Sequence, residues 1–310
     1  MKRKILYILT VLLLTASMTA GCGSATEDTR SGTVTITDSA GNKASLKKDA
    51  KIVSLYASYA ECYLLAGGTL TGVTRDAFTE RDLGIPKETA IVGTVKEPNV
   101  ESIIALNPDY VIMSADLTSH ADIEDNLKSA GIRYGYYRVD TFEDYSFIMS
   151  QFCAVTGRDD LFEKNVTAIE NQIEEIKKTA FPPENAPKVL LMRAFSTGVR
   201  AKGADNTAGI ILRDLGCRNI VDDNPSLLEE LSTEKIIEED PDYIFISTMG
   251  DEEAALAFMN DNMMNNPAWN GRKAVKNNNC HILPKELFHY KPNNRWADSY
   301  SYIAEILFND

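Results

Sequence analysis

Glu101-Ser-Ile-Ile-Ala-Leu-Asn-Pro-Asp-Tyr-Val-Ile-Met-Ser114 returns later in the chain as Glu234-Lys-Ile-Ile-Glu-Glu-Asp-Pro-Asp-Tyr-Ile-Phe-Ile-Ser247, with seven of fourteen positions identical. Each copy reads as a helical turn or two, a Pro-Asp stop and a strand rich in β-branched and aromatic residues. Asn/Asp-Pro-Asp is a common way to end a helix before a strand, so the turn alone would mean little. The identities reach from the opening Glu to the closing Ser, which points to one supersecondary unit used twice.

Working outward from the first copy, strands over Ile52–Leu55, Leu70–Thr74, Ala90–Val92, Tyr110–Met113 and Tyr134–Tyr137 alternate with helices over Ser58–Ala66, Val100–Leu106 and Ile123–Ala130. Ahead of them, Val34–Thr37 followed by Asp38, Gly41 and Asn42 reads as an edge hairpin. Around the second copy the rhythm repeats with a strand at Val189–Met192, helices at Ala208–Leu215 and Thr233–Glu239, and a strand at Tyr243–Ser247. Between the two halves, Phe162, Val166, Ile169, Ile173 and Ile176 form one apolar stripe at helical spacing, with Glu170, Glu174, Glu175, Lys177 and Lys178 over much of the remaining surface. At 1.5 Å per residue such a helix is roughly 35 Å long. Phe181-Pro182-Pro183 stops it. The predicted fold class is therefore α/β: two Rossmann-like α/β lobes, 33–157 and 182–310, joined by a single long α-helix at 158–181, with a ligand cleft between the lobes.

Length and charge narrow the function. Over 310 residues the chain carries 32 Lys and Arg against 45 Asp and Glu, a net charge of −13. So acidic a chain is a poor partner for nucleic acid, which demands clustered cations. Three His and five scattered Cys, with no CxxC, exclude zinc ribbons and thioredoxin-type redox motifs. Neither GxSxG nor HExxH occurs, which counts against an exported hydrolase, the rival reading from a different class. A lipoprotein that only scaffolds a surface complex is a weaker rival.

The first residues carry an address. Lys2, Arg3 and Lys4 precede an apolar run from Ile5 to Leu14, and small residues follow up to Thr19-Ala20-Gly21-Cys22. This is the layout of a secretory signal, 1–21, rather than a membrane-spanning helix. Its end resembles a bacterial lipobox, with Thr19 in place of the more usual Leu, and implies lipidation of Cys22. Residues 22–32, small and polar, read as a flexible, lipid-anchored tether. Removal of the signal would take the net charge to −16, since it holds three cations and no acid. The expected location is the outer face of the cytoplasmic membrane. Of the other cysteines, Cys62 and Cys153 fall in apolar helical patterns; with Cys217 and Cys280 they allow three disulfide pairings, among which the sequence does not choose.

From about Val34 onward the chain resembles the bacterial ABC-importer substrate-binding lipoproteins for ferric siderophores, haem and cobalamin. The resemblance is carried, in order, by Ile52-Val-Ser-Leu-Tyr-Ala-Ser-Tyr-Ala-Glu61, the first repeat copy with Pro98-Asn99 before it, Asn206-Thr-Ala-Gly-Ile-Ile-Leu-Arg-Asp-Leu-Gly216, the second copy, Trp269 to Val275, and Pro292-Asn-Asn-Arg-Trp296. It implies a non-catalytic monomer with no cofactor of its own, hinged by a rigid helix, that takes an iron chelate or tetrapyrrole and hands it to ABC permease subunits. A ferric siderophore leads, haem follows, and a cobamide comes third. It also implies that one acid on each lobe docks against the permease, and the matching positions are Glu101 and Glu234. Both open a helix, where a carboxylate also complements the positive end of the dipole.

Residues just after the strands should line the cleft: Tyr56, Arg75, Ser114, Asp116, Tyr137 and Arg138 from the first lobe, and Arg193, Phe195, Arg200, Lys202 and Met249 from the second. His289, Tyr290 and Arg295 join them from the C-terminal region. The arginines suit an anionic chelate or haem propionates, because guanidinium binds carboxylates and catecholates bidentately. His289 or Tyr290 would meet iron directly only if the ligand is haem. His120 and His281 read as structural or solvent-exposed residues.

Overall fold

The computed structural model describes residues 26–28, 32–267 and 269–308. The signal segment 1–21 and Cys22 lie outside the described residues.

In the first lobe, strands β4 (Ile52–Ser54), β5 (Leu70–Val73), β6 (Ala90–Ile91), β7 (Tyr110–Ser114) and β8 (Arg133–Tyr137) form an all-parallel sheet in the order β6-β5-β4-β7-β8. That is the doubly wound 3-2-1-4-5 arrangement, with its switch point between β4 and β7. The second lobe holds β9 (Lys188–Phe195), β10 (Gly198–Ala201), β11 (Arg218–Asn219), β12 (Tyr243–Thr248) and β13 (Cys280–Ile282). Its order is β10-β9-β12-β13, with β11 beside the start of β9 and β10 antiparallel to β9's end. Here the chain also leaves to opposite sides after its two central strands.

The predicted edge hairpin exists as β2 (Thr33–Thr37) and β3 (Lys43–Lys47), but in a separate antiparallel sheet. Part of the expected tether, Thr26–Asp28, forms strand β1 on the free edge of β2. An unpaired strand edge is a template for such an addition. The turn of the hairpin is tied to β8 by the buried Asp38, whose Oδ2 accepts the Tyr136 N–H at 2.9 Å.

The two copies of the repeat adopt the same structure in detail. Val100–Ala105 and Thr233–Glu239 are helical, capped by Asn99 and Ser232 at equivalent positions. Asn107 and Asp240 both take left-handed backbone, with φ of 46° and 45°. Asn and Asp tolerate that region best among residues with a side chain. The Pro-Asp carboxylates then do the same work twice. Asp109 Oδ2 accepts the Lys51 N–H at 2.9 Å just before β4, and Asp242 Oδ2 accepts the Lys188 N–H at 2.9 Å just before β9. Each aspartate fastens the start of one central strand to the start of its neighbour.

Alternation along the strands sorts side chains into layers. Val53, Val111 and Met113 face outward onto the first lobe's own helices, and Leu190, Met192, Ile244 and Ile246 onto the second's. Ile52, Tyr110, Ile112, Val189, Leu191 and Phe245 all enter one common core with Phe152, Ile173, Trp296 and Ile303. The predicted connecting helix contributes to this layer. It runs as Asp159–Phe162, a π-helical turn Glu163–Thr167, then Ala168–Lys177, with Val166, Ile169 and Ile173 buried. It ends before the expected 181, and it packs against the C-terminal helix Trp296–Phe308 rather than standing clear as a strut.

The duplicated staples make a direct test. Asp109→Ala and Asp242→Ala should each cost about 1 kcal/mol in urea unfolding by leaving a backbone N–H without its acceptor. The double variant should show the sum, because the two sites lie in different lobes and share no partner.

Candidate functional site

The carboxyl ends of both sheets open onto a cavity of about 480 Å³ between the lobes, within the usual range for small-molecule sites. Its first-lobe wall comes from Tyr56 to Ser58 after β4, Asp76, Glu80 and Arg81 after β5, Val95 and Lys96 after β6, and Ser114, Asp116 and Leu117 after β7. Asp140 completes that side. The opposite wall is Arg193 at the end of β9, Asp205 to Thr207 at a helix start, Met249 after β12, and Phe288 to Lys291. Each lobe thus presents its own switch point to the same space, where open α/β sheets bind ligands.

Of the residues singled out from sequence, Tyr56, Ser114, Asp116, Arg193, Met249, His289 and Tyr290 line this cavity. Arg138 and Lys202 act one step back: Arg138 pairs with Asp116 at 2.6 Å and Lys202 with Asp205 at 2.6 Å. Arg75, Arg200, Arg295 and Phe195 are not part of the wall. Arg75 precedes the helical turn Asp76–Thr79, which places Asp76 in the wall and leaves Arg75 exposed. Arg200 sits opposite Arg193 across the β9–β10 pair but is exposed. Arg295 is exposed and bound to Asp298 at 2.9 Å. Tyr137 is a core residue, its hydroxyl 2.9 Å from that of Tyr110. The expected cluster of arginines is therefore replaced by a nearly balanced wall: Asp76, Glu80, Asp116, Asp140 and Asp205 against Arg81, Lys96, Arg193 and Lys291.

Most of these charges are already matched. Asp140 pairs with Lys291 at 2.9 Å, from lobe to lobe. Arg81 binds Glu61 at 2.6 Å and donates twice to the Lys291 carbonyl, at 3.0 and 2.8 Å. Beside it, Asn293 is fully buried in a left-handed conformation; its amide donates to the Ser58 carbonyl at 2.8 Å and to Glu61, and accepts from the Cys62 thiol. Arg81 and Asn293, which sequence reasoning did not place at the site, clasp the two lobes together; the Pro292-Asn-Asn-Arg-Trp296 motif was the available signal. Arg193 differs. Among the described residues no carboxylate lies within ion-pair distance of it, and its Nε donates to Ser247 Oγ at a long 3.4 Å. Burial lowers its proton affinity, and the nearby Asp205 acts in the opposite sense.

Burial pushes the phenols of Tyr56 and Tyr290 upward, so both stay neutral hydrogen-bonding groups. The His289 imidazole is pushed down to about 4 by burial, with Lys285 and Arg193 adding to the effect. Its ring lies 4.9 Å from that of Tyr290, and its Nδ1 is buried with no hydrogen-bond partner. His120 is a structural residue of the wall: Nδ1 accepts the Ser114 N–H at 2.8 Å, which puts the proton on Nε2, 3.1 Å from the Val95 carbonyl. Among the described residues no three His, Cys, Asp or Glu side chains come together where they could hold a metal ion. Cys62, Cys153, Cys217 and Cys280 are free thiols. No helix among the described residues is long and apolar enough to cross a membrane.

A family model described as periplasmic binding protein matches residues 52–287, which takes in the central sheets of both lobes and the cavity wall up to, but not including, Phe288. The chain belongs to that family. It is 25% identical over 295 residues to the Fe(3+)-citrate-binding protein YfmC of Bacillus subtilis, covering 92% of this chain and 91% of the relative. The fold matches the triscatecholate siderophore binding protein FeuA of the same species, complexed with ferri-bacillibactin, with a TM-score of 0.68 at 18% identity over 89% of this chain and 98% of the other. It also matches Staphylococcus aureus IsdE complexed with heme, with a TM-score of 0.67 at 17% identity, over 84% and 99%.

His120 gives this periplasmic binding protein a pH signature. Its folded pKa of about 4 lies below the unfolded value near 6.5. Its contribution is therefore complete above pH 6.5 and is lost as pH falls toward 4, by up to about 3 kcal/mol. The melting temperature should decline through that window, and His120→Gln, though less stable at pH 7, should decline less steeply. An unchanged slope would contradict the assignment.

Proposed function

We propose that this chain is the substrate-binding lipoprotein of an ABC importer, anchored through Cys22 at the outer face of the cytoplasmic membrane, and that it captures an iron chelate as a monomer without catalysing a reaction on it. The observation that carries this reading is the single cavity walled by both lobes at their switch points, in a member of a family whose relatives are named for ferric citrate, ferric siderophore and heme. Iron is the cargo here and arrives within its own ligands. A ferric siderophore is the leading ligand: the balanced wall offers Arg193 as an uncompensated anion-binding group and the phenols of Tyr56 and Tyr290 as neutral donors and flat surfaces. Haem is the second reading, favoured by the adjacent His289 and Tyr290 rings, since imidazole and phenolate both ligate haem iron.

Delivery requires a surface that the permease reads. Glu101 and Glu234 occupy the second position of equivalent helices, one in each lobe, and both are exposed. Among the described residues neither has a hydrogen-bond or ion-pair partner, so both carboxylates are available to cations of another protein.

Isothermal titration with ferric citrate, ferric triscatecholate, ferric trihydroxamate and haemin should find one class that binds saturably at one site per chain. Glu101→Arg with Glu234→Arg should leave that affinity within about twofold and the stability within about 1 kcal/mol, the usual size of a helix-terminus charge effect. Uptake by cells carrying the double variant should fall to background. Saturable turnover of any of these compounds, or lost affinity in the double variant, would contradict the reading.

A further inference from the structure

We propose that Asp76, supported by Glu80, receives a positively charged hydrogen-bond donor of the ligand and so selects chelates that carry an ammonium-like end. The proposal rests on the reading of the cavity as a chelate site. Asp76 is only 7% exposed yet lines the cavity. Its Oδ2 is fixed by the Ala57 N–H at 2.8 Å, at the start of the helix Ala57–Leu65. Its Oδ1 is equally buried and has no hydrogen-bond partner in the protein. A carboxylate oxygen removed from water without a partner is costly, and a ligand donor that reaches it recovers that cost on binding.

The surrounding charges leave this oxygen to the ligand. Asp116, Asp140 and Asp205 are matched by Arg138, Lys291 and Lys202. Arg75, adjacent in sequence, is exposed and outside the wall, and Arg81 is consumed by Glu61, Ser58 and the Lys291 carbonyl. Glu80, one helical turn beyond Asp76, lies beside the Tyr290 phenol and has no cation within ion-pair distance among the described residues. Lys96, which has no ion-pair partner among the described residues, offsets one of the two uncompensated acids on the first-lobe wall and leaves that wall net acidic, while the uncompensated guanidinium, Arg193, belongs to the second. A ligand with a cationic end and an acceptor-rich end fits that polarity, with the ammonium toward Asp76 and the acceptors toward Arg193.

The test compares the iron(III) complex of desferrioxamine B, which has a free ammonium, with its N-acetylated form, in which a neutral acetamide replaces that ammonium. Calorimetry on the purified full chain should give about tenfold or more tighter binding of the ammonium form, the size of one charge-assisted hydrogen bond. Asp76→Asn retains an oxygen for the Ala57 N–H. It should erase the preference, bringing the two forms to the same affinity within about twofold; Glu80→Gln should shrink the preference. Equal affinity for the two forms, or a preference that survives Asp76→Asn, would overturn this proposal and leave the chelate-binding reading intact. Failure to bind either form, ferric citrate, ferric triscatecholate or haemin would overturn both.

Discussion

Side chains from two separate sheets meet in one apolar layer, and the relation between the lobes follows from it. Inward-facing residues of β4 and β7 share a core with those of β9 and β12, filled by Phe152, Ile173, Trp296 and Ile303. Pulling the lobes apart would expose this surface at roughly 25 cal/mol per Å² of apolar area. The clasp of Arg81, Glu61 and Asn293 on the Lys291 segment adds a polar restraint at the cavity itself. A ligand site framed in this way is largely formed before anything binds, which lowers the ordering cost of capture.

The charge pattern of the cavity follows the same economy. The wall holds nine charged side chains of both signs, but most are matched within the protein, so they shape the site rather than attract a ligand. Recognition falls to the groups left over: Arg193 on one side, Asp76, Glu80 and Lys96 on the other, together with neutral phenols and an uncharged imidazole.

Much of the fold was legible because the repeat and the apolar periodicities report local structure directly. Asn107 and Asp240, read as turn residues, proved to be left-handed, and the aspartates two residues on make equivalent strand staples. The shared core was not legible, since periodicity shows which face of an element is apolar but not which other face covers it. The same gap explains the site. Residues following strands were sought, and Tyr56, Asp116 and Arg193 were found in this way. Which of two neighbours turns inward, Arg75 or Asp76, depends on a four-residue helical turn with no apolar pattern to mark it. Arginine count was a misleading guide, because Arg138 is bound to Asp116, which only the folded chain brings alongside, and Arg295 to Asp298 three residues on.

The most direct measurement is the position of iron in crystals of this protein grown with its tightest ferric chelate, located by anomalous scattering at the iron edge. The account predicts one iron site between the lobes, with the chelate touching Asp76 on one wall and Arg193 on the other. Iron bound on the outside of one lobe, or coordinated directly by protein side chains other than His289 or Tyr290, would contradict it.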